Sequence, residues 1–117
     1  MLITVLKSKI HMGELTGAEL DYEGSLGIST DLLAASGILP YEQVLIANAE
    51  NRDRLVTYAI PLESKGELVL NGPAARFGKK GDRVVIMTFA QVPEEDAGKV
   101  KPRVLRPGPG NSIPRDG

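Results

Sequence analysis

The chain has 117 residues, 14 basic and 15 acidic side chains, a formal net charge of −1 and no cysteine. That length fits one domain with a thin core; a near-neutral balance without a basic block argues against a nucleic-acid partner, and the lack of cysteine excludes disulfides, thiolate zinc sites and cysteine nucleophiles. Hydrophobic residues make up 42% of the chain, yet the aromatics are only three Tyr and two Phe, so the core is expected to be Val, Ile, Leu and Ala, and association would bury more apolar surface than the monomer can.

Met1 to Leu6 is followed at once by Lys7, without the basic start, apolar length or cleavage site of a signal peptide. No apolar run approaches the ~20 residues of a membrane helix, so the expectation is a soluble, cytoplasmic protein with no membrane partner. Residues 2 to 12 alternate as a strand, with Leu2, Leu6, Ser8, Ile10 and Met12 on one face and Ile3, Val5, Lys7, Lys9 and His11 on the other. The second face turns from apolar to basic along its length. A strand running from a core into a cleft has this pattern, and so does one emerging into solvent.

A short strand around Leu20 to Tyr22 leads into Gly24-Ser25. The one clear helix follows: Ser29 or Thr30 as cap, Asp31 at the positive end of the dipole, Leu32, Leu33 and Ala35 on an apolar side, and Gly37 as the stop. Strands are then expected over Gln43 to Asn48, Arg54 to Ile60 and Glu67 to Asn71, with Asn51-Arg52-Asp53 as a polar turn. In the second of these, Arg54, Val56, Tyr58 and Ile60 share a side opposite Leu55, Thr57 and Ala59. Pro73 to Phe77 reads as a short helix opened by proline, and Gly78 to Asp82 as a solvated turn lacking the phosphate-loop pattern. Arg83 to Ala90 is the strongest strand, nearly continuous in apolar residues and expected to be buried on both faces. Beyond Lys101 prolines and glycines dominate, so residues 1–105 are expected to form the single domain and 106–117 a flexible tail. Many short strands with few helices suggest a mainly β protein, a small closed β-barrel.

Gly24-Ser25 alone is ordinary turn chemistry. Its company is not ordinary: Lys9, Ile10 and His11 upstream, Arg54, Thr57 and Tyr58 downstream, then Asn71-Gly72-Pro73-Ala74-Ala75. In order and nearly in spacing, across about residues 1 to 105, this set closely resembles the aspartate 1-decarboxylase family, whose members cut themselves at a Gly-Ser bond and turn the serine into a pyruvoyl group. The resemblance implies a double-psi β-barrel with a few short helices, assembled as a homotetramer of cleaved protomers. Each would hold a β chain of residues 1–24 and an α chain of residues 25–117. It implies no metal and no pyridoxal phosphate, L-aspartate as substrate, and β-alanine and CO2 as products, a step of pantothenate biosynthesis. Some relatives need a helper protein for processing, so a helper is a possible further partner beside unaided self-cleavage.

Chemical roles follow from the same resemblance. Gly24 leaves its carbonyl open to attack by the Ser25 hydroxyl, with Thr57 and Asn71 assisting. Ser25, as the pyruvoyl group, forms a Schiff base with the substrate amine, because no ordinary side chain is an electron sink. Arg54 grips the retained carboxylate through its planar fork, with Lys9 adding charge. Tyr58 matches the proton donor, since a phenol stays protonated at neutral pH. Thr57, Gly72, Pro73 and Ala74 fall at substrate-binding positions, and His11 and Tyr22 line the site. Strict alternation sets Thr57 opposite Arg54 and Tyr58 unless the strand bulges. Pro73 departs from the family, which commonly has alanine there, and a proline removes a backbone N–H. Two rivals stand beside this reading: an uncut β-barrel binding module, and a self-cleaving relative acting on another amino acid.

Overall fold

The structure is a computed structural model and describes residues 1–115. Eight strands follow in chain order: β1 (Leu2–Glu14), β2 (Gly17–Glu19), β3 (Ser25–Ser29), β4 (Gln43–Asn48), β5 (Arg54–Leu62), β6 (Leu68–Asn71), β7 (Arg83–Pro93) and β8 (Arg103–Leu105). One helix, α1 (Thr30–Ser36), lies between β3 and β4, and short 3-10 turns cover Gly72–Phe77, Glu94–Lys99 and Pro109–Asn111. The strands form one mixed sheet in the order β2-β6-β3-β5-β4-β7-β1-β8. The pairs β2/β6, β3/β5 and β1/β8 are parallel and the rest antiparallel.

Alternation builds the core. Ile10, Leu26, Ile28, Val44, Ile46, Ala59, Leu68, Leu70, Val84 and Ile86 all turn inward and are buried, each large one worth about 1.5–3 kcal/mol relative to exposure. Helix α1 closes one side with Leu32 and Leu33. Ser29 occupies its cap position without a side-chain capping bond, and Gly37 ends it at φ +79°, a left-handed conformation that glycine adopts without a Cβ clash.

Three of the expected strands differ from the sequence expectation. The short strand falls at Gly17–Glu19, ahead of Leu20 to Tyr22, because the Tyr22 N–H donates to the Glu19 carbonyl and closes a turn there. Strand β7 is not buried on both faces: Val84, Ile86 and Thr88 point inward, whereas Val85 and Met87 are half-buried and Phe89 is exposed. Strand β7 pairs antiparallel with β1 and β4, and only one side of it meets the core, so the other keeps an uncovered apolar row. Strand β1 carries register shifts between Leu6 and Ser8 and between Ile10 and Gly13. Each inserts one residue against β7 and resets the alternation, so Leu6 faces outward with Phe89 while Ser8 faces inward with Thr88.

In the segment expected as a flexible tail from residue 106, the chain turns back on itself through a bridge between Gly108 and Ser112. Asn111 is buried; its Oδ1 accepts from the Glu14 N–H at 2.8 Å, and its Nδ2 donates to the carbonyls of Glu14 at 2.8 Å and Gly66 at 2.7 Å. One side-chain amide thus anchors a segment that has little apolar surface of its own. The last two positions of the expected tail, 116 and 117, lie outside the described residues.

Candidate active site

Ser25 opens β3 and Asn71 closes β6, and the two are register partners. Both side chains are buried, at 1% and 6% exposure. The Asn71 Nδ2 donates to Ser25 Oγ at 3.1 Å, and the Ser25 hydroxyl donates, at a long 3.4 Å, to the Glu23 carbonyl. The hydroxyl is thereby held within the bend that carries Gly24.

That bend rests on the start of the next turn. Gly72 has φ +62°, and a Cβ on it would strike the Tyr22 carbonyl oxygen and stand 2.6 Å from Gly24 N and 2.8 Å from Gly24 Cα. Glycine is therefore required twice, for the dihedral and for the close approach. Pro73 closes the other side, its Cδ 3.3 Å from where a Gly24 Cβ would be. Ala74 is buried behind them.

The parallel register pairs Leu26 with Ala59, both in the core, so the preceding residues Ser25 and Tyr58 share the opposite face. A cleft of about 660 Å3 lies over that face, lined by Tyr22, Glu23, Ser25, Tyr41, Tyr58 and Asn71, with Ile60, Leu62 and Val69 as apolar floor and Glu19 and Glu67 as further carboxylates. The rings of Tyr41 and Tyr58 stack with centroids 6.4 Å apart and planes at 28°.

The basic residues stand elsewhere. Lys9 pairs with Met87, Met87 with Leu45 and Leu45 with Val56, so all four share the outer face. Val56 lies between Arg54 and Tyr58 on β5, which puts Arg54 on that face too. Neither Lys9 nor Arg54 lines the cleft, and neither joins an ion pair among the described residues. His11 sits at the second register shift of β1, also outside the cleft. Thr57 pairs with the buried Val44 in a β4–β5 register that runs without a shift from Gln43↔Tyr58 to Ala47↔Arg54. No bulge turns it toward Tyr58, and it stays on the opposite face.

Tyr41 was absent from the sequence reading of the site. It follows Pro40 in a connection between α1 and β4, and no local pattern marks it as the neighbour of a residue 17 positions on. Among the described residues, no group of three or more His, Asp or Glu is arranged to hold a metal ion.

A small mixed β-sheet protein that buries a serine hydroxyl beside an asparagine amide at a tight bend, under a tyrosine-walled cleft, defines the class. The sequence matches the aspartate decarboxylase family over residues 1–114, and the chain belongs to that family. It is 46% identical over 118 residues to the aspartate 1-decarboxylase of Thioalkalivibrio sulfidiphilus, covering 100% of this chain and 94% of that one. The aspartate 1-decarboxylase of Campylobacter jejuni strain RM1221 is 50% identical over 105 residues, covering 90% and 83%. That of Phenylobacterium zucineum is 45% identical over 114 residues, covering 97% of each.

Proposed function

We propose that this chain decarboxylates L-aspartate to β-alanine and CO2, the step that feeds pantothenate biosynthesis, after cutting itself between Gly24 and Ser25 and converting Ser25 to a pyruvoyl group. The observation that carries the reading is the Asn71–Ser25 contact beneath the bend that holds Gly24.

Self-cleavage begins with the Ser25 Oγ attacking the adjacent Gly24 carbonyl. An Oγ–C bond forms and the Gly24–Ser25 C–N bond breaks, giving an ester. Loss of the Ser25 Cα proton then expels the Gly24 carboxylate, and hydrolysis of the resulting enamine releases ammonia and leaves the ketone. Proximity removes much of the entropic barrier to the first step. Asn71 fixes the hydroxyl, and the missing side chains of Gly24 and Gly72 leave room for the carbonyl carbon to become tetrahedral. Thr57 keeps its assignment from the family resemblance alone, because its side chain faces away from the cleft.

The pyruvoyl carbonyl supplies the electron-accepting group that the twenty side chains lack. Tyr58 stands on the face of Ser25 and returns a proton to the substrate carbon from which CO2 leaves. Ile60, Leu62 and Val69 provide an apolar floor for the departing CO2. Arg54 and Lys9 bind the retained carboxylate, and His11, Tyr22, Gly72, Pro73 and Ala74 shape the surroundings. Because the two cations lie outside the cleft of a single chain, the reading includes a homotetramer of double-psi barrels in which a neighbouring copy completes each site. The uncovered row of Leu45, Val56, Val85, Met87 and Phe89 is the apolar surface such an assembly covers. Cytoplasmic location belongs to the same reading, which holds for self-cleavage with or without a helper protein.

The test is product formation from aspartate, glutamate and other amino acids by the purified protein. β-Alanine from aspartate with little turnover of glutamate is expected; activity confined to another amino acid would overturn the substrate assignment.

A further inference from the structure

We propose that Tyr41 is a positioning residue for Tyr58, its ring forming one wall of the cleft and orienting the phenol that returns the proton; this rests on the proton-donor role proposed above for Tyr58. Tyr41 has φ +67°. A bulky side chain in the left-handed region is strained, and such strain persists only where the surroundings over-determine it. Here they do. The Tyr41 N–H donates to the Ala59 carbonyl at 2.7 Å and the Ala59 N–H donates to the Glu42 carbonyl at 3.0 Å, which locks residues 41 and 42 onto β5 beside Tyr58.

The far side of the turn is held as firmly. Lys7 Nζ lies 2.8 and 2.9 Å from the two Glu42 carboxylate oxygens and donates to the Gly37 carbonyl at 3.0 Å, while Glu42 Oε1 accepts the Leu39 N–H at 2.9 Å. Lys7 is the residue inserted at the first register shift of β1. The segment from Gly37 to Glu42 is therefore pinned at both ends, and its tip carries the Tyr41 ring.

That ring is not core packing, for Tyr41 is 74% exposed. Glycine or asparagine would take the same dihedral with less strain. What tyrosine adds is the stack on Tyr58, 6.4 Å away, at the wall of the cleft that holds Ser25. Stacking restricts the Tyr58 ring to one orientation and shields one of its faces from water.

The experiment compares Y41G, Y41F, Y58F and Y41G/Y58F. In Y41G we expect complete self-cleavage, an equal or higher thermal midpoint because strain is relieved, a KM for aspartate within about twofold, and kcat down about tenfold, as for a displaced catalytic group. Y41F, which keeps the ring, restores kcat. In a Y58F background Y41G costs nothing further, since the residue acts through Tyr58. The two possible failures separate. Full turnover in Y58F overturns the proton-donor reading and this proposal with it. An impaired Y58F, together with a Y41G effect that is nil or equal in both backgrounds, overturns the Tyr41 proposal alone.

Discussion

Asn71 and Ser25 sit opposite one another on adjacent antiparallel strands, and the Asn71 amide donates to the Ser25 hydroxyl oxygen at 3.1 Å. The sheet register makes this contact, not a flexible loop, so the hydroxyl is oriented before any chemistry begins. Preorganised donors of this kind act without reorganising when charge develops.

Asn71→Ala removes that donor and leaves β6 otherwise intact. Self-cleavage should slow by about 100-fold, the scale seen for the loss of one fixed donor. Following the uncut chain over time by denaturing electrophoresis measures this, and an unchanged rate would assign the orientation of Ser25 to another group.

Gly72→Ala places a methyl against the backbone of Tyr22 and Gly24 and forces alanine to φ +62°. A loss of about 1–3 kcal/mol is expected from the strained dihedral, and the clash displaces the bend as well. Urea unfolding in a Ser25→Ala background, which keeps the chain in one piece, gives the number. Unaltered stability would mean the bend yields freely.

Asn111→Ala leaves the Glu14 N–H and the carbonyls of Glu14 and Gly66 without the partners they have now. At about 1 kcal/mol per bond the loss is about 3 kcal/mol. Glu14 lies upstream of the cleavage site and Asn111 downstream, so the same contact ties the two expected fragments together. Faster hydrogen exchange at Glu14 and easier proteolysis of the tail should accompany the loss.

Acid stability has an identifiable contributor. The Asn48 amide, donating at 3.0 Å, and to a smaller extent the Lys79 N–H at 3.1 Å, hold the Asp82 carboxyl below its ordinary value of 3.8 against the opposing effect of burial. The folded state therefore binds fewer protons than the unfolded one near that value. The stabilisation is present above about pH 4 and is lost as pH falls through the depressed folded value. Asp82→Asn keeps the shape and should flatten the fall of the urea midpoint below pH 4. Glu50 is lowered in the same direction by Arg83, chiefly through a 2.7 Å hydrogen bond, but this exposed pair is screened by solvent and adds little.

Much of the frame was legible because its causes are local. Alternating apolar residues mark β4 and β5, and Gly37 marks the end of α1. Strand β3 escaped notice: Ser25 to Ser29 is short and interrupted by Gly27, and it becomes a strand through β5 and β6 pairing on either side. Register shifts at Lys7 and at His11–Met12 depend on how β7 fits β1, which no single segment encodes. Asn111 anchors the tail through partners far away in sequence, so composition could not reveal it. At the site, motif resemblance singled out Tyr22, Ser25, Tyr58 and Asn71, and the fold brings these four to one cleft. Lys9 and Arg54 share the outer face without reaching the cleft, whereas Tyr41 reaches it from a turn with no motif.

The most direct measurement is the intact mass of the purified protein under denaturing conditions. Two species are predicted: residues 1–24 ending in a free carboxylate, and residues 25–117 lighter by one ammonia than a chain beginning with serine. A single mass for all 117 residues, persisting after prolonged warm incubation and after incubation with extract of the source cells, would contradict self-processing and return Ser25 to an ordinary structural serine.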